Sequence, residues 1–137
     1  MQRTFVMLKP ETVVSKQIGE IIAFIEKEGF AINAMKLTRA TKHQAEKLYE
    51  PHVGKGFYQE LIEHVLSGPV VPMIVEAPDA ILKMRNLIGP TNPSQGDKST
   101  IRARYGQSVT KNAIHASDSP ANAEREGRIF FDADDFG

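Results

Sequence analysis

Residues 4–37, TFVMLKPETVVSKQIGEIIAFIEKEGFAINAMKL, contain the pattern from which the architecture follows. The run begins with five apolar, β-prone residues, from Thr4 to Leu8, and Pro10 ends this first strand. Between positions 17 and 28 apolar side chains recur with the i, i+3, i+4, i+7 spacing of one helix face: Ile18, Ile21, Ile22 and Ile25. Gly29 ends the helix, and residues 30–37 predict a second strand. The stretch is therefore predicted to be a strand–helix–strand unit.

Two helices are predicted next along the chain. Thr41 and Gln44 have the spacing of a capping box, which opens a short helix that runs through Tyr49. A second helix places four apolar side chains on one face: Tyr58, Leu61, Ile62 and Val65. Residues 67–69, Ser-Gly-Pro, end it.

The remaining elements complete an alternating order. Residues 70–75 predict a third strand, in which Pro72 requires a bulge or an unpaired position. Asp79 caps a helix to residue 88, and residues 89–111 are predicted to be irregular. A short fourth strand reaches His115, and a last helix runs over residues 120–130. The order β-α-β-α-α-β-α-β-α predicts an α/β (α+β) fold, a ferredoxin-like sandwich whose four-stranded antiparallel sheet is covered by helices.

Composition limits the classes of function. The 137 residues suit one domain, residues 1–137. Lysine plus arginine equals aspartate plus glutamate, 17 each, which disfavours nonspecific binding to nucleic acid or anionic membrane. The absence of cysteine excludes disulfides and thiolate nucleophiles. No apolar run approaches the roughly 20 residues that span a bilayer, and the N-terminus lacks a signal-peptide pattern, so a cytoplasmic protein is expected.

The octamer at residues 112–119, Asn-Ala-Ile-His-Ala-Ser-Asp-Ser, carries the best candidate nucleophile. His115 follows a short apolar run and precedes capping residues, with Pro120 suited to the first helical position. Such an imidazole is held in place yet reachable, and near neutral pH it can carry a transferred group covalently. Taken alone, the octamer also allows a simpler interpretation, a polar loop before a capped helix, and for a single histidine that interpretation is favoured.

Several polar residues lie at predicted element ends, where a ligand would meet them: Lys9, Arg85, Thr91, Asn92, Arg102 and Asn112. Cationic side chains converging on one point are what a polyphosphate requires. Any one of them could instead be a solvated surface group.

Four segments together resemble the nucleoside diphosphate kinase family, and the resemblance spans nearly the whole chain. They are residues 4–10, 67–70, 91–93 and 112–119. The Asn-x-x-His-x-Ser-Asp-Ser signature in the last of these is highly specific. The resemblance implies transfer of the terminal phosphate of a nucleoside triphosphate to a nucleoside diphosphate in a ping-pong cycle, with His115 as the phosphorylated nucleophile.

The resemblance also implies how the imidazole is supported. Glu126 matches the glutamate that orients the nucleophile, Ser117 matches a serine that supports this arrangement, and Tyr49 matches a tyrosine packed nearby. The carboxylate would keep one ring nitrogen protonated and leave the other free to attack.

Matching positions would hold the nucleotide. Arg85, Thr91 and Arg102 match phosphate-holding residues, which would stabilise charge on the transferring group. Lys9 and Asn112 match residues that contact the sugar and its 3′-hydroxyl, with Lys9 also near the transferring phosphate. Mg²⁺ would enter with the nucleotide phosphates rather than in a protein cage, so no metal ligand is assigned to the chain.

Phe57 and Val109 match the pair that sandwiches the base. Stacking uses the ring face that all bases share, so purines and pyrimidines should both be accepted. Without the resemblance Phe57 could equally be a core aromatic, although its turn-like setting between Gly54 and Tyr58 favours exposure. The other histidines, His43, His52 and His64, are expected to be surface or packing residues.

The sequence departs from the family at Ala116, where many relatives carry glycine, and at Arg104, where the residue is usually acidic. Residues 96–100 also lack the Pro-Gly pair that commonly precedes the threonine. The chain ends soon after Phe131 with an acidic tail containing Asp132, Asp134 and Asp135, whereas longer relatives use a C-terminal extension in assembly. A homo-oligomer is therefore expected, with a tetramer favoured over a hexamer.

Two other functions remain open at this point. A ferredoxin-like sheet could bind nucleotides or single-stranded nucleic acid without turnover. The zero net charge disfavours nucleic acid. A regulatory protein could use the same histidine to phosphorylate another protein.

Overall fold

A computed structural model describes residues 1–132 of the chain. Its four strands are β1 (Gln2–Leu8), β2 (Ala31–Met35), β3 (Val71–Ala77) and β4 (Ile114–Ala116). The α-helices within these residues are α1 (Pro10–Val14), α2 (Ile18–Lys27), α3 (Lys42–Leu48), α4 (Tyr58–Leu66), α5 (Ala80–Ile88), α6 (Ile101–Tyr105) and α7 (Pro120–Phe130). Short 3₁₀ turns cover Glu50–His52 and Pro93–Gln95.

The four strands form one antiparallel sheet in the order β2-β3-β1-β4, as the sequence predicted. Strand β1 is central and pairs with β3 over seven residues, from Gln2 opposite Ala77 to Leu8 opposite Val71. Its other edge pairs with β4, where His115 lies opposite Met7. The candidate nucleophile therefore lies on an edge strand that is hydrogen-bonded to a buried central strand.

The sheet is covered by helices on both faces because β1 and β3 carry apolar residues on both sides. On one face Val6 and Leu8 pack with Ile21 and Ile25 of α2 and with α5. The other face carries Phe5, Met7, Leu48, Ile62, Val65, Ile74 and Phe130, which belong to β1, α3, α4, β3 and α7. His115 shares the Met7 face, so its side chain points toward the layer that contains α7.

Local capping signals set several helix boundaries where the sequence predicted them. Thr41 and Gln44 form a complete capping box at the start of α3. The Ser119 hydroxyl accepts from the Asn122 amide, and Pro120 occupies the first position of α7. Gly29 follows α2 with φ of +94°, the left-handed conformation in which a helix commonly ends.

Asp79 was expected to cap α5, and that expectation was wrong. It occupies the position before the helix, but its φ is +48° and its side chain makes no capping hydrogen bond. The Gln2 side chain provides the acceptor instead, because its amide oxygen accepts from the Ile81 amide at 3.0 Å. A long-range contact therefore satisfies one of the free amides that every helix start leaves.

Two short helices were missed. The prediction ended the first strand at Pro10, but Pro10 begins α1. Residues 89–111 were predicted to be irregular, yet they contain the turn Pro93–Gln95 and the helix α6, whose start Thr100 caps by accepting from the Ala103 amide. The expected bulge or unpaired position at Pro72 was wrong: Pro72 pairs with Met7 of β1, and its carbonyl accepts from the Lys36 amide at 3.2 Å. The irregularity in the β2–β3 ladder lies between Ile32 and Ala34 instead.

Among residues 1–132, no helix is long and apolar enough to cross a membrane. Asp134 and Asp135 of the acidic tail lie outside the described residues.

Candidate active site

A cleft of about 490 Å³ opens beside β4 and is bounded by α3, α4, α5 and the segment that carries α6. Its volume is in the usual range for a small-molecule site. Ten of the predicted site residues line it: Lys9, Tyr49, Phe57, Arg85, Thr91, Arg102, Val109, Asn112, His115 and Glu126. Ser117 does not line the cleft and is buried behind it. The structure thus brings together residues predicted from distant parts of the chain.

The His115 imidazole is oriented by one short hydrogen bond. Its Nε2 lies 2.6 Å from Oε1 of Glu126. Because a carboxylate can only accept, Nε2 carries the hydrogen and donates it, which leaves the Nδ1 lone pair available. The ring lies between Phe5 and Tyr49, with both centroid distances 6.0 Å, and its side chain is 19% exposed. The imidazole is therefore held in one tautomer and remains accessible from the cleft.

Glu126 is itself held by two further donors. The Ser117 hydroxyl donates to Oε1 at 2.6 Å, and Arg125 donates to Oε2 at 3.3 Å. Burial alone would raise the pKa of the Glu126 carboxyl, but the hydrogen bonds from His115 and Ser117 and the charge of Arg125 bring that pKa below its usual value. Glu126 therefore remains an ionised acceptor at neutral pH.

Lys9 brings a positive charge to the buried end of the cleft. It is 3% exposed, and its ammonium donates to the Thr110 carbonyl at 3.0 Å. Burial lowers the pKa of Lys9 to about 8; nearby Glu11 opposes this shift and Arg102 adds to it. The ammonium is thus charged at neutral pH but close to its titration range.

Arg102 comes from α6 rather than from an irregular loop. Its guanidinium donates to the Ile114 carbonyl at 2.9 Å and to the Gly89 carbonyl at 3.1 Å. Burial, with the nearby charge of Arg85, lowers the pKa of Arg102 to about 10, so it stays charged at neutral pH. Arg85 lies on α5, is exposed and lines the same cleft. The chain has no net charge, yet this cleft concentrates cations.

Two buried polar atoms in the cleft have no hydrogen-bond partner among the described residues: the Tyr49 hydroxyl and Oδ1 of Asn112. The Asn112 amide nitrogen donates to the carbonyls of Thr91 and Val109, at 3.1 and 2.9 Å. Asn112 therefore joins the two loop segments and presents an unsatisfied acceptor. Buried polar atoms normally have hydrogen-bond partners, so these two atoms without one indicate a site in which a polar ligand supplies the missing hydrogen bonds.

Two apolar side chains that line the cleft are exposed. Phe57 immediately precedes α4 and is 45% exposed, and Val109 is 53% exposed. Both line the cleft, so exposure of Phe57 agrees with the sequence prediction rather than with a core position. Large apolar side chains exposed beside a polar cleft provide a surface for a flat ring.

His52 was expected to be a surface or packing residue, but it lines the cleft. Its ring lies 5.3 Å from the ring of Phe57, and burial, together with Lys55, lowers its pKa. Lys55 and Leu61 also line the cleft and were not singled out. All three lie within five residues of Phe57 in the sequence. Because Phe57 was predicted to be exposed at the site, its neighbours in the sequence could have been predicted to line the site as well.

Carboxylates are few on this surface. Asp118 lines the cleft and accepts from the Asn122 side chain at 2.7 Å, and Glu126 is committed to the imidazole. Within residues 1–132, no group of three or more His, Cys, Asp or Glu side chains has an arrangement that could hold a metal ion.

The chain is similar to known proteins over nearly its whole length. It matches the family model described as nucleoside diphosphate kinase over residues 2–136. A nucleoside diphosphate kinase from Thermosipho melanesiensis is 54% identical over 131 residues, which cover 96% of this chain and 89% of the relative. The protein of the same name from Kosmotoga olearia is 49% identical over 132 residues, 96% of this chain and 90% of the relative.

Solved structures agree with the fold. The Aquifex aeolicus nucleoside diphosphate kinase superposes with a TM-score of 0.94 at 39% identity and covers 98% of this chain and 97% of its own. The Halobacterium salinarum nucleoside diphosphate kinase, solved in complex with CDP, gives a TM-score of 0.94 at 37% identity, with coverage of 98% and 90%.

Proposed function

The chain belongs to the nucleoside diphosphate kinase family, and from that premise we propose that His115 carries the γ-phosphoryl group of a nucleoside triphosphate to a nucleoside diphosphate. One observation supports this most: the imidazole with Nε2 committed to Glu126 lies in a cleft lined by Lys9, Arg85 and Arg102. A fixed nucleophile surrounded by cations suits a polyanion whose terminal group is to be displaced.

In the first half of the cycle, Nδ1 of His115 attacks the γ-phosphorus. The new P–N bond forms as the bond to the oxygen bridging the β- and γ-phosphorus breaks, and its electron pair leaves with the nucleoside diphosphate. In the second half, a terminal oxygen of another nucleoside diphosphate attacks the phosphohistidine, and the P–N bond breaks to restore neutral imidazole. No proton has to leave Nε2 at either step.

The contact with Glu126 matters because the imidazole becomes positively charged when Nδ1 is phosphorylated. An ionised carboxylate 2.6 Å from Nε2 stabilises that charge as it forms. Ser117 keeps the carboxylate oxygen aimed at the ring. These two residues act on the nucleophile, whereas the cationic residues act on the phosphates.

Lys9, Arg85 and Arg102 would neutralise charge on the phosphate oxygens, and Thr91 would add a hydroxyl donor. The remaining guanidinium N–H groups of Arg102 are the ones available for phosphate, since three already donate to backbone carbonyls. A ribose hydroxyl that donates to Oδ1 of Asn112 would satisfy that buried acceptor.

Phe57 and Val109 would hold the base between them at the cleft mouth. The Halobacterium salinarum relative was solved in complex with CDP, a pyrimidine nucleotide. An apolar sandwich uses ring faces rather than base edges, so this site should accept purines as well.

Mg²⁺ fits this donor set when it arrives with the nucleotide. The cleft offers Asp118 as a carboxylate not committed to the imidazole, while its other charged groups facing phosphate are cations. One carboxylate with several phosphate oxygens is a common environment for Mg²⁺. When bound, the ion would neutralise negative charge on the nucleotide phosphates during transfer.

The experiment uses γ-labelled ATP, followed by unlabelled CDP. The wild-type protein should acquire an alkali-stable, acid-labile phosphate that then moves to CDP. His115→Ala should lose both labelling and transfer while its circular dichroism spectrum is retained. Labelling in that variant would show that another residue is the nucleophile. Label that forms but never moves to a diphosphate would favour a regulatory role, and binding without labelling would favour a binding module. A homotetramer and a cytoplasmic location stay predictions.

A further inference from the structure

The peptide that precedes the nucleophile has an unusual backbone conformation. Ala113 is fully buried with φ of +78°, in the left-handed region that an alanine rarely adopts. The Ile114 amide donates to the Asn112 carbonyl at 3.0 Å, which closes a three-residue γ-turn around Ala113. This turn determines how Asn112 and His115 are presented to the cleft, so whatever holds it also holds the site.

Two contacts hold the strained peptide, and both come from the segment after β1. The Lys9 amide donates to the Ala113 carbonyl at 2.9 Å. The Ala113 amide donates to Oε2 of Glu11, also at 2.9 Å, across 102 positions of sequence. A strained backbone persists only where the surrounding structure holds it. Here it is held by the Lys9 amide, which donates to the Ala113 carbonyl, and by the Glu11 carboxylate, which accepts from the Ala113 amide.

The carboxylate is in turn held by a histidine outside the active site. Nε2 of His64, on α4, donates to Oε1 of Glu11 at 2.6 Å, and the two side chains are 9% and 7% exposed. Burial alone would raise the pKa of the Glu11 carboxyl, but the bonds from His64 and Ala113 bring it below its usual value. Glu11 therefore stays an ionised acceptor, and its charge also favours the protonated form of Lys9.

We propose that Glu11 is a positioning residue for His115, and that His64 holds Glu11 in place. Neither side chain lines the described cleft, so neither touches the nucleotide. Glu11 and His64 influence the position of the imidazole through the Ala113 peptide. That peptide is hydrogen-bonded to Glu11 and lies between Asn112 and His115 in the chain. This inference rests on the proposed phosphohistidine cycle, because the group that Glu11 positions is the nucleophile of that cycle.

Glu11 acts as a hydrogen-bond acceptor and His64 as a donor, so different variants preserve each role. Glu11→Gln keeps an oxygen that can accept from the Ala113 amide, whereas Glu11→Ala leaves that buried amide unpaired. His64→Gln keeps an N–H donor toward the carboxylate, whereas His64→Phe removes it. Glu63→Gln is the matched control, because Glu63 is an exposed carboxylate on the same helix as His64.

The test measures the rate at which ATP phosphorylates each variant, by rapid mixing and an alkaline quench, together with the dissociation constant for ADP. Misplacement of a reacting group by about 1 Å costs on the order of 100-fold, so we expect Glu11→Ala and His64→Phe to phosphorylate about 10–100-fold more slowly. ADP affinity should change by less than about threefold, because a positioning residue affects the transfer step more than ground-state binding. His64→Gln and the Glu63→Gln control should retain most of the wild-type rate. Glu11→Gln keeps the acceptor but loses the charge that favours protonated Lys9, so its rate should lie between those of the wild type and Glu11→Ala.

A purely structural role would have a different result. It would lower the melting temperature but leave the rate per folded molecule unchanged, so the rates are compared at a temperature where circular dichroism shows each variant folded. A Glu11→Ala protein that is folded and phosphorylated at the wild-type rate overturns the proposal. If the wild-type protein itself forms no phosphoenzyme, the proposed function fails instead, and the two failures are distinguished by that first measurement.

Discussion

The Glu126→Gln substitution isolates the charge on the carboxylate that orients the imidazole. A glutamine has the same shape, and its amide oxygen can still accept from Nε2 of His115 and from the Ser117 hydroxyl. The change removes the negative charge and keeps an acceptor for both hydrogen bonds to Oε1, while the longer 3.3 Å bond from Arg125 to Oε2 is lost. It therefore asks whether that charge stabilises the imidazole as it becomes positive during transfer.

The magnitude follows from the geometry of the pair. With Oε1 2.6 Å from Nε2, the centre of the carboxylate charge lies roughly 4 Å from the ring charge. At that separation and an effective dielectric constant of about 20, two full charges attract by about 4 kcal/mol. Only part of a unit charge develops on the ring in the transition state, so we expect a loss of about 2 kcal/mol, roughly 30-fold in the rate of phosphorylation.

The assay is a single-turnover reaction with γ-labelled ATP, stopped in alkali, because the chain contains no tryptophan to report the reaction by fluorescence. Glu124→Gln is the control: Glu124 lies on the same helix, exposed and paired with Arg128 at i+4. The control should react at the wild-type rate. A Glu126→Gln rate equal to wild type would show that the charge contributes nothing to the transfer step.

Three further perturbations test the base site, the charge of Lys9 and the backbone at Gly89. Phe57→Ala should weaken binding of all nucleoside diphosphates by a similar factor, and selective loss for one base in a titration series would contradict the stacking argument. A lysine is charged below its pKa, and the pKa of Lys9 is lowered to about 8, so kcat/KM should fall as the pH rises through about 8. If a Lys9→Met variant showed the same fall in kcat/KM at alkaline pH, a group other than Lys9 would be its cause. Gly89→Ala should lower the free energy of unfolding in urea by about 2–4 kcal/mol, because φ is +83° and the new Cβ would meet Thr100 at 2.7 Å. The control Gly19→Ala adds a methyl in open space on α2 and should stabilise by up to about 1 kcal/mol; equal effects of the two changes would refute the steric argument.

Features with local causes could be predicted from the sequence. The start of α7 was predicted at Pro120, because Ser119 and Pro120 are themselves the capping signal. The face of α2 followed from spacing alone, and Ile21 and Ile25 are indeed buried against the sheet. That the predicted site residues would lie around one cleft could be predicted only from the family resemblance. The resemblance carries information about tertiary structure, which hydrophobic periodicity does not.

Features with long-range causes could not be predicted in this way. Helix α6 has only five residues, too few for a periodic pattern, and lies in a stretch rich in turn-forming residues. The cap of α5 comes from Gln2, which is 79 positions away from Ile81. The contact of Glu11 with His64 joins positions 53 apart, so nothing in the local sequence of either residue indicates it.

The stereochemistry at phosphorus shows whether the phosphate stops on the protein between donor and acceptor. Each in-line displacement inverts the configuration at phosphorus. With a nucleoside triphosphate whose γ-phosphoryl group is chiral by isotopic substitution, two displacements through His115 predict overall retention in the product. Overall inversion would mean a single direct transfer between nucleotides bound together, and would contradict the phosphohistidine mechanism.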